Sequence, residues 1–292
     1  MMSLIRGCRL SVVVLCMVIF VSGCEAADYS VERKLLINPV NFYNGQSTTA
    51  LWQQVSLLAK RLGITVVDGK TKPVARWINY YDTADGDLKR HNYILRRRVN
   101  LKHGQKAPTG QLMLKYRREG FAMPKPDTVT ISPDKDAPLK QELDMVGFAD
   151  GQSGAEKVYA SVSRNVKKIT LAEFGTMDTL RDYTAYFPVL GTLGIAPETR
   201  LVGVTDGLIE QKICPGYIVL GAEEVSVDIS LWSESMLDLP IVAELSWSQP
   251  YDDSVAPEQG NKLFRLLQEN LREMLLPGQT KEEFVTAKFV TE

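Results

Sequence analysis

The sequence predicts a mainly β fold of the α+β class, an antiparallel barrel or sandwich with helices packed outside it. Most apolar segments are short and alternate with polar residues at a period of two, whereas only two long segments show the 3.6-residue period of an amphipathic helix. No stretch alternates strand and helix as a parallel doubly wound sheet requires. No segment matches a phosphate loop or a dinucleotide-binding fingerprint.

The N-terminal half of the chain predicts four strands and one helix. Residues 28–39 alternate and predict the first strand. Residues 46–63 predict a helix that Ser47 or Thr48 caps and Gly63 ends. Three further strands are predicted at 75–83, 93–102 and 110–118, the last two joined by a turn rich in Gly and Pro.

The C-terminal half predicts further strands and one long helix. Residues 120–155 are rich in Pro and Asp and predict a loop with one short helix near Leu139–Val146. The segment 257–276 has the clearest amphipathic pattern and predicts a helix. Strands are predicted as a pair within 157–174 and at 199–211, 217–232 and 239–249.

The first residues predict a targeting segment. Arg6 and Arg9 precede an apolar stretch at 10–21, which is shorter than the ~20 residues that a membrane-spanning helix needs. The following "VSGC" resembles a bacterial lipobox, in which the cysteine is acylated with a palmitate-type lipid after cleavage. We expect residues 1–23 to be a lipoprotein signal peptide and 24–28 a linker lipidated at Cys24. An ordinary cleaved signal peptide is the alternative.

Cleavage and lipidation at Cys24 would leave one domain, residues 29–292, and would determine where in the cell it lies. Glu25 follows the cysteine where an Asp would favour the inner membrane, so we expect a lipid anchor in the outer membrane that faces the periplasm of a bacterial envelope. Only Cys214 of the four cysteines lies in this domain, so no disulfide is expected. A net charge of −1 gives no global basic field for nucleic acid.

Charged residues recur at every second position of several predicted strands. Residues i and i+2 of a strand face the same side. Arg96 with Arg98, and Lys115 with Arg117, therefore share a face within their strands, while Arg97 faces the other way. If these faces turn into one closed barrel, its interior also receives further charged residues, namely Glu32, Lys34, Asp228 and Glu244.

Such an interior suits a polyanion. Arg and Lys bind phosphate oxygens through charge-assisted hydrogen bonds, and carboxylates hold Mg²⁺ or Mn²⁺, which bridges to phosphates. Cations for a chain of phosphates, together with acids for a metal, are typical of a phosphoryl-transfer site.

Three motifs carry a family resemblance. "YYDT" at 80–83, "ILRRR" at 94–98 and "LKYR" at 114–117 resemble, in order and spacing, those of the CYTH superfamily of triphosphate tunnel metalloenzymes. That resemblance implies an eight-stranded, antiparallel, tunnel-like β-barrel that binds triphosphate and a divalent metal. It further implies that "PETR" supplies a distal phosphate ligand, Arg200, that "TAKF" supplies Lys288, and that Asp228 belongs to the metal shell with Glu32 and Glu244.

The sequence departs from the family pattern at two positions. Ser30 stands where the first-strand E-x-E-x-K motif begins with Glu, and Ser246 replaces the second acid of the late E-x-E pair. Two of the four metal-binding carboxylates of the family are thus missing. The expected function is triphosphate or polyphosphate binding by an envelope lipoprotein, with Mg²⁺- or Mn²⁺-dependent phosphohydrolase activity. The alternative is a polyanion-binding or structural lipoprotein without catalysis.

Overall fold

A computed structural model describes residues 29–43, 47–69, 72–251 and 255–290 of the chain, and excludes the side chains of 255–256 and 288–290. The predicted signal peptide, the 24–28 linker and the lipidation site Cys24 lie outside the described residues. The domain boundary at residue 29 therefore stays a prediction. No helix in the described ranges is long and apolar enough to cross a membrane.

Eleven strands of the described chain form one sheet. Their bounds are β1 Ser30–Ile37, β2 Thr65–Asp68, β3 Val74–Thr83, β4 Tyr93–Lys102, β5 Gln105–Glu119, β6 Leu139–Gly147, β7 Glu156–Thr170, β8 Leu201–Gly203, β9 Leu208–Leu220, β10 Glu223–Ser233 and β11 Val242–Pro250.

Seven α-helices and four 3₁₀ turns of the described chain connect or cover these strands. The helices are α1 Val40–Tyr43, α2 Thr48–Arg61, α3 Asp87–Arg90, α4 Leu171–Gly175, α5 Leu180–Thr184, α6 Val255–Asn270 and α7 Lys281–Val290. The 3₁₀ turns are Pro126–Thr128, Ala149–Gly151, Pro188–Thr192 and Arg272–Met274. Ser47 caps α2 by accepting a hydrogen bond from the Ala50 N–H, as the sequence predicts.

The sheet closes into a ring, which confirms the predicted tunnel-like class. Strand β9 pairs with β10 on one side and with β3 on the other, so the order β9–β10–β11–β1–β6–β7–β5–β4–β3 returns to its start. Within the described ranges the ring therefore has nine strands instead of the eight that the resemblance implies. The pair β1–β6 is parallel and the other pairs are antiparallel, because the long connection through β2–β5 brings β6 back beside β1 in the same direction.

Strand β6 corrects the helix predicted at 139–146. Leu139, Leu143 and Val146 have the spacing of a helix face, and this spacing misled the prediction. In the structure, Lys140, Glu142 and Asp144 alternate on the inner face of a strand that pairs with both β1 and β7.

Four other predictions need correction. The strand expected at 217–232 spans the end of β9 and most of β10, with a turn at 221–222, and the strand expected at 199–211 spans β8 and the start of β9. The pair of strands expected within 157–174 is one 15-residue strand, β7, followed by α4. The turn expected before β5 is shorter than the Gly/Pro-rich segment suggested, because His103 and Gly104 alone make it, with φ of 52° and 78°. Two consecutive positive φ angles are typical of a type I′ hairpin, whose twist matches that of the strands it joins.

Two apolar clusters on the outside of the ring hold the helices in place. The larger contains Leu51, Trp52 and Val55 of α2 and Leu263, Phe264 and Leu267 of α6, packed against the outer faces of β1 and β9–β11. The second packs α4 and α5 against the outer faces of β4, β5 and β7. These two clusters bury apolar surface outside the ring and thereby stabilise the fold. The interior of the ring can therefore carry polar and charged side chains.

One end of the ring is apolar and closed. The inner-face residues there pack together with Val285 of α7, and all are at most 6% exposed: Leu36, Ile78, Tyr80, Leu208, Trp232 and Val242. At the opposite end the inner face carries Lys140 and Lys212, whose side chains are 59% and 35% exposed. The tunnel therefore has a charged mouth and a closed apolar end.

Candidate functional site

A cavity of about 230 Å³ occupies the interior of the ring. Among the described side chains that line it, nine are basic and five are acidic, so cations are in excess. The basic residues are Lys34, Arg76, Arg96, Arg98, Lys115, Arg117, Lys140, Lys212 and Lys281, and the acidic residues are Glu32, Glu142, Glu210, Glu244 and Glu282.

The cavity brings together most of the residues that the sequence singled out. The predicted phosphate ligands on three different strands all line it, as do two predicted metal ligands: Lys34, Arg96, Arg98, Lys115, Arg117, Glu32 and Glu244. Their placement follows from alternation, since each lies an even number of residues from the next one on its strand.

Two of the predicted residues, Arg200 and Asp228, do not line the cavity, and the side chain of a third is not described. Arg200 is exposed and bridges to Thr179 beside α5, outside the ring, because its segment is a short edge connection. Asp228 is the cross-strand partner of Ser246 and forms an ion pair of 2.7 Å with Lys212 next to the cavity. The side chain of Lys288 lies outside the described residues.

Eight charged residues of the site, among them Glu282 at the start of α7, were missed from the sequence. Lys140, Glu142 and Asp144 lie on the strand that was predicted as a helix, and their i, i+2, i+4 alternation was the available signal. Arg76, Glu210 and Lys212 show the same alternation in β3 and β9. Lys281 stands at the start of α7, and no strand pattern could have placed it.

Arg96 and Arg98 are held inside the tunnel with spare donors. Arg98 lies 3.7 Å from a Glu210 carboxylate oxygen, whereas no described carboxylate lies within ion-pair distance of Arg96. The Nε atoms of both arginines are buried without a hydrogen-bond partner among the described residues. Burial, together with the neighbouring charge of Arg96, lowers the pKa of Arg98 to about 10. These two guanidinium groups are therefore poorly neutralised by the protein.

Asp144 joins two lysines. It is fully buried, and its two oxygens each lie 2.9 Å from an ammonium nitrogen, Oδ1 from Lys34 and Oδ2 from Lys115. Burial alone would raise the pKa of Asp144, but the charges of Lys115 and Lys34 outweigh it and lower the pKa far below the ordinary range. Burial opposes the charge of Lys34 as well, yet Asp144 and Glu32 raise the pKa of that lysine. Both partners are therefore ionised at neutral pH.

The beginning of α7 reaches the tunnel. Lys281 lies 2.8 Å from Glu244 and its ammonium group is 5.2 Å from the centre of a Trp232 ring. The next residue, Glu282, forms an ion pair of 3.2 Å with Arg117. Thr280 N–H donates to Glu283, which fixes the start of the helix. The helix thus completes the tunnel wall near its closed end.

Glu210 balances the cations near the closed end. It lies 3.1 Å from Arg76, and its other oxygen accepts a hydrogen bond of 3.2 Å from the Trp232 Nε1–H. Burial would raise its pKa, but the charges of Arg98, Lys281 and Arg76 outweigh burial and lower the pKa to about 2.

The depressed pKa of Glu210 predicts acid sensitivity. A carboxylate whose folded pKa is lowered from 4.5 to about 2 stabilises the fold by about 3 kcal/mol above pH 4.5, and this contribution is lost as the pH falls towards 2. We expect the difference in unfolding free energy between the wild type and Glu210→Gln to be largest near pH 6 and to shrink over that range. Urea unfolding at several pH values measures it.

An exposed carboxylate provides the control for this experiment. Glu223 is the first residue of β10 and is exposed. Glu223→Gln should leave the unfolding free energy close to that of the wild type at every pH. A Glu210→Gln difference that is equally flat from pH 6 to pH 2 would contradict the assignment.

Three neighbouring carboxylates of the tunnel are the candidates for holding a divalent metal. Glu32, Glu142 and Asp144 each offer a ligand oxygen, and these atoms lie within 4.8 Å of one another. However, Lys34 and Lys115 lie at 2.9–3.0 Å from Glu32 and Asp144, and Glu244 is paired with Lys281. Glu142 Oε1 and Asp144 Oδ1 lack well-oriented hydrogen bonds, yet each lies within 3 Å of a lysine nitrogen. As arranged, these carboxylates fit ammonium groups and not a resident metal ion.

Of the comparisons with known proteins, the comparison with solved structures found similar proteins. No family model and no curated protein matches the chain. HpAC1 from Hippeastrum, a candidate adenylyl cyclase described as having a dominant triphosphatase activity, is 14% identical with a TM-score of 0.46, over 88% of this chain and 94% of that one. A candidate adenylate cyclase from Bacillus halodurans is 16% identical with a TM-score of 0.41, over 88% and 97%. The PH1819 protein from Pyrococcus horikoshii OT3 is 12% identical with a TM-score of 0.39, over 89% and 99%.

Proposed function

We propose that the tunnel binds a linear phosphate polyanion of the triphosphate or polyphosphate type. The observation that carries this proposal is the pair Arg96 and Arg98, whose guanidinium groups line the cavity and whose Nε atoms are buried without a hydrogen-bond partner among the described residues. A partly buried cation without a close carboxylate is costly, so a site that places Arg96 beside Arg98, which lies 3.7 Å from Glu210, suits an anionic ligand. Guanidinium forks match phosphate oxygens in geometry and charge.

The remaining cations extend this binding surface along the tunnel. Lys34 and Lys115 line the same cavity as Arg96, and Lys140 and Lys212 lie at its mouth. A ligand with several adjacent negative charges contacts more of these groups than a single phosphate does. We therefore infer a preference for triphosphate over orthophosphate.

The motif order supports a CYTH-like protein. "YYDT", "ILRRR" and "LKYR" fall on β3, β4 and β5, which are consecutive in the ring, and each of these strands contributes at least one basic residue to the cavity. We therefore propose that the chain is a member of the CYTH superfamily. The support is that the three motifs occur in the family's order and that their strands contribute basic residues to one cavity.

Calorimetric titration with sodium tripolyphosphate at about 0.15 M salt tests the proposed function, since weak surface attraction is largely screened at that ionic strength. We expect saturable binding of tripolyphosphate at one site and at least tenfold weaker binding of orthophosphate. Sulfate at matched ionic strength controls for nonspecific anion binding. Equal affinities for tripolyphosphate, orthophosphate and sulfate, or no binding at all, would remove the basis of the proposal.

A second candidate is divalent-metal-dependent hydrolysis of the bound triphosphate. The proximity of Glu32, Glu142 and Asp144 favours it, because Glu142 is the cross-strand neighbour of Ser30 and returns a carboxylate to the position that lost one. Their pairing with lysines speaks against it. Release of orthophosphate from tripolyphosphate with Mg²⁺ or Mn²⁺, assayed beside the titration, separates an enzyme from a binding protein.

We also propose that the protein is held at the bacterial outer membrane by a lipid on Cys24 and faces the periplasm. The support is the sequence of residues 1–24 alone. The tethered protein would capture its anion outside the cytoplasm, where nucleoside triphosphates are scarce. Mass spectrometry of the N-terminal peptide tests this, and an unmodified N-terminus at Glu25 or beyond would exclude the anchor.

A further inference from the structure

The acidic cluster of the tunnel lies on two neighbouring strands. Glu32 of β1 is paired in register with Asp144 of β6, and Glu142 lies two residues before Asp144 on the same face. One oxygen of each carboxylate lies within 4.8 Å of the others. Three negative charges this close need compensation, because like charges at such distances repel strongly when buried.

Lysines provide this compensation. Lys34 lies 3.0 Å from Glu32 and 2.9 Å from Asp144, and Lys115 lies 2.9 Å from Asp144 and 3.7 Å from Glu142. Lys140 lies 2.6 Å from the other oxygen of Glu142. Three ammonium groups thus face three carboxylates, and the cluster is electrically balanced without any added ion.

Exchange of these lysines for a metal ion would be difficult. The side chains of Lys34 and Lys115 are only 13% and 11% exposed, and Asp144 is completely buried between them. A divalent ion bound to the three carboxylates would lie within a few ångströms of both ammonium groups, which either repel it or have to leave a packed wall.

The same two lysines also present donors to the cavity. Both line it, and an ammonium group has three N–H donors, so each lysine keeps capacity for a ligand beyond its close carboxylate contacts. Their ammonium groups are fixed by Asp144, so little side-chain entropy remains to be lost when an anion binds.

We propose that Lys34 and Lys115 take the place of a divalent cation in this tunnel, so that the phosphate polyanion binds without metal. This inference rests on the proposed function and adds to it the identity of the counter-cation. Asp144 acts as the positioning residue that holds the two ammonium groups between the protein and the ligand.

Titration of the wild-type protein with tripolyphosphate in EDTA, and again in millimolar Mg²⁺, tests this inference directly. We expect the dissociation constant in EDTA to be no more than threefold above that in Mg²⁺, calculated for the free ligand because tripolyphosphate itself binds Mg²⁺. Binding that requires Mg²⁺ would overturn the inference and leave the proposed function intact. Absence of binding under both conditions would instead remove the proposed function.

Substitution of the lysines provides a second test. Lys34→Met with Lys115→Met keeps the side-chain length and removes both ammonium groups. We expect its affinity in EDTA to fall at least a hundredfold and Mg²⁺ to restore part of it, because the freed carboxylates can then hold the ion. Lys262→Met removes an exposed lysine of α6, 63% exposed, and should bind as the wild type does.

The outcome of the double substitution is decisive in either direction. A folded double variant that binds in EDTA as tightly as the wild type would show that these lysines are not the counter-cation. Far-ultraviolet circular dichroism establishes whether the variant is folded. If it is unfolded, the comparison of the wild type in EDTA and in Mg²⁺ decides the question alone.

Discussion

Replacement of Arg96 and Arg98 together by alanine should nearly abolish tripolyphosphate binding. Each charge-assisted contact contributes about 1.5–3 kcal/mol, so the loss of both raises the dissociation constant by roughly two to four orders of magnitude. The effect is expected to be large because both guanidinium groups line the cavity with unpartnered Nε atoms. Calorimetry with tripolyphosphate measures it.

The same substitution should leave the fold intact. The charge of Arg96 contributes to the lowered pKa of Arg98, so the two cations disfavour each other when no anion is bound. We expect a melting temperature close to that of the wild type, because relief of the Arg96–Arg98 repulsion offsets the loss of the Arg98 charge near Glu210, which Arg76 and Lys281 still compensate. A matched control, Arg61→Ala with Arg181→Ala, removes two exposed arginines of the outer surface and should keep full affinity. Undiminished binding in a folded Arg96/Arg98 variant would contradict a ligand site inside the tunnel.

Asp144→Ala should be the most destabilising single substitution in the tunnel wall. It leaves the ammonium groups of Lys34 and Lys115 buried without the carboxylate that lies 2.9 Å from each. Removal of one partner from a buried ion pair costs about 3–5 kcal/mol. We expect a loss of this size in the free energy of unfolding, measured by urea denaturation.

A double substitution separates the charge effect from lost packing. If uncompensated charge causes the instability, Asp144→Ala with Lys115→Met should be more stable than Asp144→Ala alone, which a double-mutant cycle quantifies. Asp238→Ala, in the exposed β10–β11 loop, serves as the neutral control. Equal instability with and without Lys115 would assign the effect to packing.

The sequence predicted the parts of the site that lie on regular, alternating strands. Arg96, Arg98, Lys115 and Arg117 could be placed because β4 and β5 are long and carry the motifs "ILRRR" and "LKYR", whose order resembles that of a known family. Once one of these residues faces the interior, the period of two places the others there too. The alternation alone allowed a barrel or a sandwich, and the family resemblance was needed to predict the closed, tunnel-like class.

The site residues on β6 and α7 could not be predicted from alternation, because their positions depend on tertiary contacts. Asp144 and its strand were missed because Leu139, Leu143 and Val146 also satisfy a helical spacing, and pairing with β1 and β7 decides between the two. Lys281 enters the tunnel from a helix, and only tertiary packing determines where that helix begins. Tertiary contacts of this kind regularly override local preferences.

The closed apolar end of the ring, where Trp232 and Leu36 pack against Val285 of α7, limits how a polymer can be engaged. A tunnel open at both ends would let a long phosphate chain thread through and slide. A blind tunnel admits a terminus and stops it. For a series of polyphosphates of increasing length at equal total phosphate, the amount of polyphosphate bound per protein should therefore follow the concentration of chain ends. The length of the chain behind the bound end should have little effect.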